Sequence, residues 1–165
     1  MILITGATGN LGSSVIAQLL KVTTKDKFVT TSSNENGVKK LTEQGVNSRL
    51  ANFTDTASLN KAFHSLEKIL LISTMDQNRL EQHKNVIDAA KKQGVKHIVY
   101  TSLAIKNIQT SAVKDLMISH FQTEDYIKAS GLTYTILRNT MYADALAQIL
   151  GENAINQDIN LPGGN

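Results

Sequence analysis

The chain is 165 residues long, with 41% hydrophobic and 19% charged side chains, a net charge of +3 and no cysteine. That length and composition suit one soluble globular domain with a real core. The missing cysteines exclude disulfides, thiolate nucleophiles and cysteine zinc sites, and the scattered lysines lack the basic stripe of a nucleic-acid surface.

The opening Met-Ile-Leu-Ile carries no basic n-region and is far too short to span a membrane, so neither a signal peptide nor a membrane segment is expected. A disulfide-free chain fits the reducing cytosol, and a cytoplasmic location is the expectation. Residues 2–4 are instead a short apolar run stopped by Thr5-Gly6, which suits a buried parallel strand. Leu11, Val15, Leu19 and Val22, widened by Ile16 and Leu20, recur at helical spacing. Residues 28–31 are β-rich and run into the turn formers Ser32, Ser33 and Asn34. A short helix is predicted over 38–44, stopped by Gly45. A short strand follows within 46–53, and then a helix through Phe63 that Asp55 can cap. The apolar run within 68–73 predicts the fourth strand. Residues 79–93 predict a long helix with Val86, Ile87, Ala89 and Ala90 inward and Gly94 at its end. The fifth strand falls at 97–101, a last helix at 113–130 before Gly131, and the sixth strand at 132–137.

This alternation predicts an α/β fold, a Rossmann-like doubly wound parallel sheet with strand order 3-2-1-4-5-6. One domain over residues 1–165 is expected, without internal repeats. The tail 160–165, with the sole proline Pro162, reads as a turn into further architecture.

The glycines Gly6, Gly9 and Gly12 sit between the first strand and the first helix, and their context gives each a task. Gly6 permits the tight turn, Gly9 lets backbone approach a pyrophosphate, and Gly12 lets helix and strand pack closely. A pyrophosphate is then expected on the backbone of Gly6, Ala7, Thr8, Gly9, Asn10, Leu11 and Gly12, at the positive end of the helix. The alternative is a glycine-rich turn without a ligand.

The spacing is Gly-x-x-Gly-x-x-Gly. Together with Leu70-Leu71-Ile72-Ser73-Thr74, the stretch GVKHIVYTS at 94–102 and TYTILRN at 133–139, it resembles the NmrA-like group of atypical short-chain dehydrogenases, and within it the NADPH:quinone oxidoreductases. The resemblance covers nearly the whole chain. It implies a nicotinamide cofactor and, beyond this chain, about a hundred further residues that build the substrate side.

An NAD site places a carboxylate at the end of the second strand, and residues 30–34 contain none. NADP is therefore expected, with NAD as the alternative, and Ser33 and Asn34 as hydrogen-bond donors toward a 2′-phosphate. The resemblance puts an arginine at position 33, which this sequence lacks; plain turn residues are the competing reading. Asn52 stands where relatives carry an acidic residue beside adenine, and its carbonyl oxygen can serve instead. Ser73 and Thr74 are read at the end of the fourth strand and Thr101 and Ser102 at the end of the fifth. All four hydroxyls are expected in the cofactor crevice.

The Tyr-x-x-x-Lys pair of many short-chain dehydrogenases is missing. Aligned on Glu124, the lysine position holds His120 and the tyrosine position Leu116. His120 is a candidate for a proton or a hydrogen bond, on a face that apolar Leu116 marks as partly covered. A bond to Glu124 alone is the plainer alternative. His64, His83 and His97 are read as surface residues, and no metal site is expected. Asn139 is a candidate beside the nicotinamide, and Tyr142 a candidate to stack on a planar acceptor or to be plain core. The resemblance implies hydride transfer from NADPH to quinones or similar small planar electrophiles. The alternative is a non-catalytic dinucleotide sensor, as other NmrA-like proteins are. A small-molecule acceptor is the expected partner, without nucleic acid or membrane, and homo-oligomerisation stays open.

Overall fold

A computed structural model describes residues 1–140 and 142. The tail around Pro162 lies outside the described residues. Among the described residues six strands form one sheet: β1 (Ile2–Ile4), β2 (Phe28–Ser32), β3 (Ser48–Leu50), β4 (Lys68–Leu71), β5 (His97–Leu103) and β6 (Thr133–Asn139). All pairings are parallel and the order is β3-β2-β1-β4-β5-β6, as the alternation of the sequence predicts. The connecting helices are α1 (Asn10–Val22), α2 (Glu35–Glu43), α3 (Thr56–Ala62), α4 (Arg79–Lys92) and α5 (Lys114–Ala129), with a 3-10 turn at Ile108–Thr110.

Successive side chains of a strand point to opposite faces, so the apolar runs feed two cores at once. On one face Leu3, Val29, Ile69, Leu71, Ile98 and Tyr100 meet α3, α4 and α5 through residues such as Leu59, Val86, Ile87 and Ile127. On the other, Ile4, Phe28, Leu70 and Ile72 meet Ile16 of α1 and Leu41 of α2. The inward residues expected of α4 are all buried.

Four sequence expectations are corrected. The stripe of α1 is narrower than its apolar residues suggest: Gly12 and Ile16 are buried, whereas Val22 is 80% exposed and Leu20 lies at the surface. Helix α2 begins at Glu35 rather than 38, because Asn34 caps it: its Oδ1 accepts from the Gly37 amide at 2.8 Å. Strand β5 continues to Leu103, so Thr101 and Ser102 lie inside it rather than at its end. Strand β6 likewise continues through Arg138 and Asn139, because each residue up to Asn139 still pairs with β5. Among the described residues no helix is long and apolar enough to cross a membrane.

Candidate functional site

A cleft of about 620 Å³ opens at the carboxyl ends of β1, β2 and β4. Gly6, Thr8 and Gly9 form its floor, Thr31, Ser32 and Ser33 one side, Asn52, Phe53 and Thr54 the next, and Ile72, Ser73, Thr74, Asp76 and Gln82 the wall facing them. Strand order puts the cleft here: β1 connects outward to β2, and the chain then returns to β4 on its other side, leaving a gap above the central strands.

The glycine loop divides into two structural glycines and one that the fold does not require. Gly6 has φ +61°, a left-handed conformation open to glycine. A Cβ at Gly12 would lie 2.1 Å from the Gly6 carbonyl oxygen and 2.8 Å from the Ala7 Cα, both backbone atoms that cannot swing away. Gly9 has φ −83° and ψ 173°, which any residue adopts, and its nearest neighbour would be the Gly6 oxygen at an ordinary 3.4 Å. It is also the N-cap of α1, where no side chain supplies a cap bond and the first turn carries no acidic residue. Ala7 is buried beneath the loop, Asn10 and Leu11 begin α1, and Leu11 is half-buried.

Ser33 lines the cleft. Asn34 caps α2 instead, so its acceptor oxygen is occupied. Helix α2 comes close because position 37 is glycine: a Cβ there would meet the Ser32 Oγ at 2.0 Å and the Thr8 methyl at 3.3 Å. Asn52 lines the cleft, but both lone pairs of its Oδ1 are taken by Thr54, from the backbone amide at 2.9 Å and from Oγ1 at 2.8 Å. What Asn52 can offer a ligand is its amide NH2 rather than the carbonyl oxygen. No lysine or arginine lines the cleft among the described residues, and Asp76 is its single carboxylate.

The wall after β4 is held from behind. Three successive amides go to side chains of three different elements: Ile72 N–H donates to Thr5 Oγ1 at 2.9 Å, Ser73 N–H to Thr101 Oγ1 at 2.9 Å and Thr74 N–H to His83 Nε2 at 3.4 Å. Thr101 therefore serves the wall indirectly. Ser102, buried, donates to Glu124 Oε1 at 2.6 Å and lies outside the lining. Glu124 also accepts both forks of Arg138, at 3.0 and 2.6 Å. Burial opposes ionisation of Glu124, but these bonds and the charges of Arg138 and Lys128 hold its carboxyl below the usual range.

His120 is buried, and its Nδ1 lies 2.9 Å from the Tyr100 hydroxyl. Its partner is thus neither Glu124 nor solvent. The Tyr100 hydroxyl also meets the Thr123 side chain, so Tyr100 joins His120 of α5 to the Thr123 hydroxyl one turn further along it. Burial holds His120 down to about 4, with the Arg79 charge adding to the shift and Glu124 opposing it. Leu116 is 59% exposed, so the covered face is not the one Leu116 marks: side chains four apart share a stripe, yet the edge of α5 leaves one outside.

His83 is a second correction. It is fully buried rather than at the surface, with its ring edge-on to Tyr100 at 5.4 Å. His97 reaches the Thr135 hydroxyl at 3.0 Å and His64 is exposed. The amide of Asn139 donates to the Tyr142 hydroxyl at 2.7 Å, and Tyr142 is 42% exposed. Arg79, Thr5 and Phe53 escaped the sequence reading. One signal was available for Arg79: a cation in the first position of a helix opposes the helix dipole and calls for a reason.

The NmrA-like family model matches residues 1–162. The chain is 41% identical over 145 residues to quinone oxidoreductase 2 of Escherichia coli strain K12, covering 87% of this chain and 50% of that protein. An NADPH-dependent quinone oxidoreductase from Escherichia coli, solved in complex with NADPH, superposes with a TM-score of 0.81 at 42% identity, over 90% of this chain and 53% of that one. A Citrobacter triphenylmethane reductase in complex with NADP(H) gives 0.80 at 38% identity, over 88% and 51%. The chain therefore spans about half the length of these relatives.

Proposed function

The chain belongs to the NmrA-like family, and on that premise we propose that its cleft binds NADPH and that the protein passes reducing equivalents to small planar acceptors such as quinones. The observation that carries the reading is Gly9. Neither its backbone angles nor its surroundings demand glycine, and a helix N-cap favours Ser, Asp or Asn. A missing Cβ on the cleft floor, beside an uncapped helix N-terminus, is what a pyrophosphate lying against backbone requires.

With the pyrophosphate on residues 6–12, Asn52 and Phe53 take the adenine end, Asn52 donating from its amide to a ring nitrogen. Ser33 faces the 2′-phosphate, and Asn34, whose Oδ1 caps α2, adds its side-chain NH2 from beside the cleft. Ser73 and Thr74 line the ribose and nicotinamide side. The bound NADPH supplies a hydride equivalent. His120 contributes a hydrogen bond rather than an acid, since burial keeps the ring neutral beside the Tyr100 hydroxyl. Asn139, itself bonded to Tyr142, sits at the end of β6 to flank the nicotinamide, and the exposed Tyr142 ring is available to stack on the acceptor. A quinone reduced by hydride becomes an anion that needs one hydrogen-bond donor and one proton, which solvent can deliver. A Tyr-x-x-x-Lys pair is not required for that.

The second reading, a dinucleotide sensor without turnover, is favoured by one observation: the His120 ring faces a tyrosine that burial holds protonated, well above its ordinary range, and so lacks a ready proton reservoir. Calorimetric titration with NADPH and NADH, followed by NADPH oxidation with a benzoquinone, separates the two. Binding with turnover supports the reductase, and binding without turnover supports the sensor. Equal affinities for NADPH and NADH at low salt remove the NADP preference, and no binding of either removes both readings.

A further inference from the structure

Arg79 opens α4 and is the largest of the fully buried side chains among the described residues. Burying a guanidinium is costly unless its donors are satisfied and its charge is answered. Its donors are partly answered by neutral acceptors: Nε donates to the Thr74 carbonyl, and Nη1 to the Ser119 hydroxyl at 2.9 Å and the Leu116 carbonyl at 3.4 Å. No carboxylate lies in ion-pair contact with it among the described residues, and the charge of Asp76 acts on it only from a distance. A fold seeking only stability has cheaper residues for this position.

One turn further along α4, His83 is equally enclosed. Its Nε2 accepts the Thr74 N–H, so the proton resides on Nδ1 and is donated to Thr123 Oγ1 at 3.1 Å; Thr123 in turn donates to the Ser119 carbonyl at 2.7 Å. The Thr74 residue is thus gripped at both ends, by Arg79 on its C=O and by His83 on its N–H. Both grips lead to Ser119 on α5, one residue before His120.

We propose that Arg79 and His83, neither of which lines the cleft, are positioning residues for the bound dinucleotide: they lock Thr74 at the cleft wall and fix that wall to α5. This rests on reading the cleft as a dinucleotide site. The grip matters at Thr74 because β4 ends at Leu71, so no strand ladder holds residues 72–74. Ile72 and Ser73 are secured by the buried threonines Thr5 and Thr101, and Thr74, among the described residues, only by α4. Holding the wall rigid before binding removes an ordering cost from the affinity. Joining it to α5 keeps Ser73 and Thr74 in register with His120.

The test uses the whole chain and two readouts, Thr74 amide hydrogen exchange in the cofactor-free protein and NADPH affinity by calorimetry. In His83→Met the Thr74 amide loses its acceptor. It should exchange at least about tenfold faster, with NADPH binding weaker by roughly the same factor. His83→Gln places a carbonyl oxygen where Nε2 was and should restore most of both. Arg79→Lys keeps the charge but cannot span Thr74, Ser119 and Leu116 together, and should weaken NADPH binding in the same way if His83→Met does not fold. Wild-type NADPH affinity in His83→Met or Arg79→Lys overturns the proposal, as does a Thr74 amide that exchanges in His83→Met as it does in the wild type. A wild-type chain that binds no NADPH instead overturns the reading of the cleft, and the two failures are distinct.

Discussion

Replacing Gly9 with aspartate pits the fold against the proposed ligand. At φ −83° and ψ 173° the residue has N-cap geometry, and aspartate is among the best N-caps while glycine ranks below it. The added Cβ meets nothing closer than 3.4 Å. Its carboxylate can accept from the first-turn amides of α1, where no side chain now does so. The variant should therefore be as stable as the wild type or more stable by about 0.5 kcal/mol, since aspartate exceeds glycine at such caps by a few tenths. The same carboxylate would stand on the cleft floor. A charge about 4 Å from one pyrophosphate charge, at an effective dielectric near 20, is repelled by about 4 kcal/mol, or roughly a thousandfold in affinity. Thermal unfolding and calorimetric titration with NADPH decide the matter. A stable variant that binds NADPH as the wild type does would refute the phosphate-loop assignment, and a loss of binding accompanied by collapse of the melting temperature would refute the claim that Gly9 is structurally dispensable.

Gly12→Ala should show the opposite profile. Its Cβ would fall 2.1 Å from backbone, so α1 must move off the loop, at a cost of roughly 1–3 kcal/mol or about 2–10 °C in melting temperature. A scan that finds Gly12→Ala as stable as Gly9→Ala contradicts this division of the loop. Acid should unfold the protein in part through two histidines. Burial holds His83 at about 3, with His120 and Arg79 adding to the shift, and His120 at about 4, so both must be neutral in the fold while an unfolded histidine protonates near its usual value. Their folded pKa values are depressed, so the stability they confer is complete above about pH 6.5 and is lost as pH falls toward 4. The loss should reach about 1.4 kcal/mol per pH unit for each ring. Replacing His83 with Gln should flatten that slope, and an unchanged slope between pH 6 and 4.5 would contradict it. Ser102→Ala removes a buried 2.6 Å bond to a carboxylate and should cost about 1.5–3 kcal/mol of stability with little change in NADPH affinity. A fall in affinity at unchanged stability would return Ser102 to the cofactor site.

The fold was written locally in this chain. Apolar runs such as Ile2–Ile4, helical stripes such as Val86, Ile87, Ala89 and Ala90, and the stop at Gly94 are short-range signals of parallel strand and amphipathic helix. Their alternation leaves few sheet orders open. The glycine loop was legible for the same reason, since a turn, a close approach and a helix start follow one another within seven residues. What tertiary structure alone decided is where polar side chains point. Where Asn34 can aim its amide NH2 is set by where α2 begins, because its Oδ1 is held at the Gly37 amide, and whether Asn52 offers its oxygen depends on how the loop folds Thr54 back onto it. His83 and Leu116 exchanged the roles their residue types suggest, because burial is set by how α4 and α5 pack on β5 and on each other rather than by polarity at one position. His83 sits in that core with both ring nitrogens partnered, and those partners, Thr74 and Thr123, lie 9 and 40 residues away in sequence. No window along the chain contains both, so that part of the protein existed only once the chain had folded.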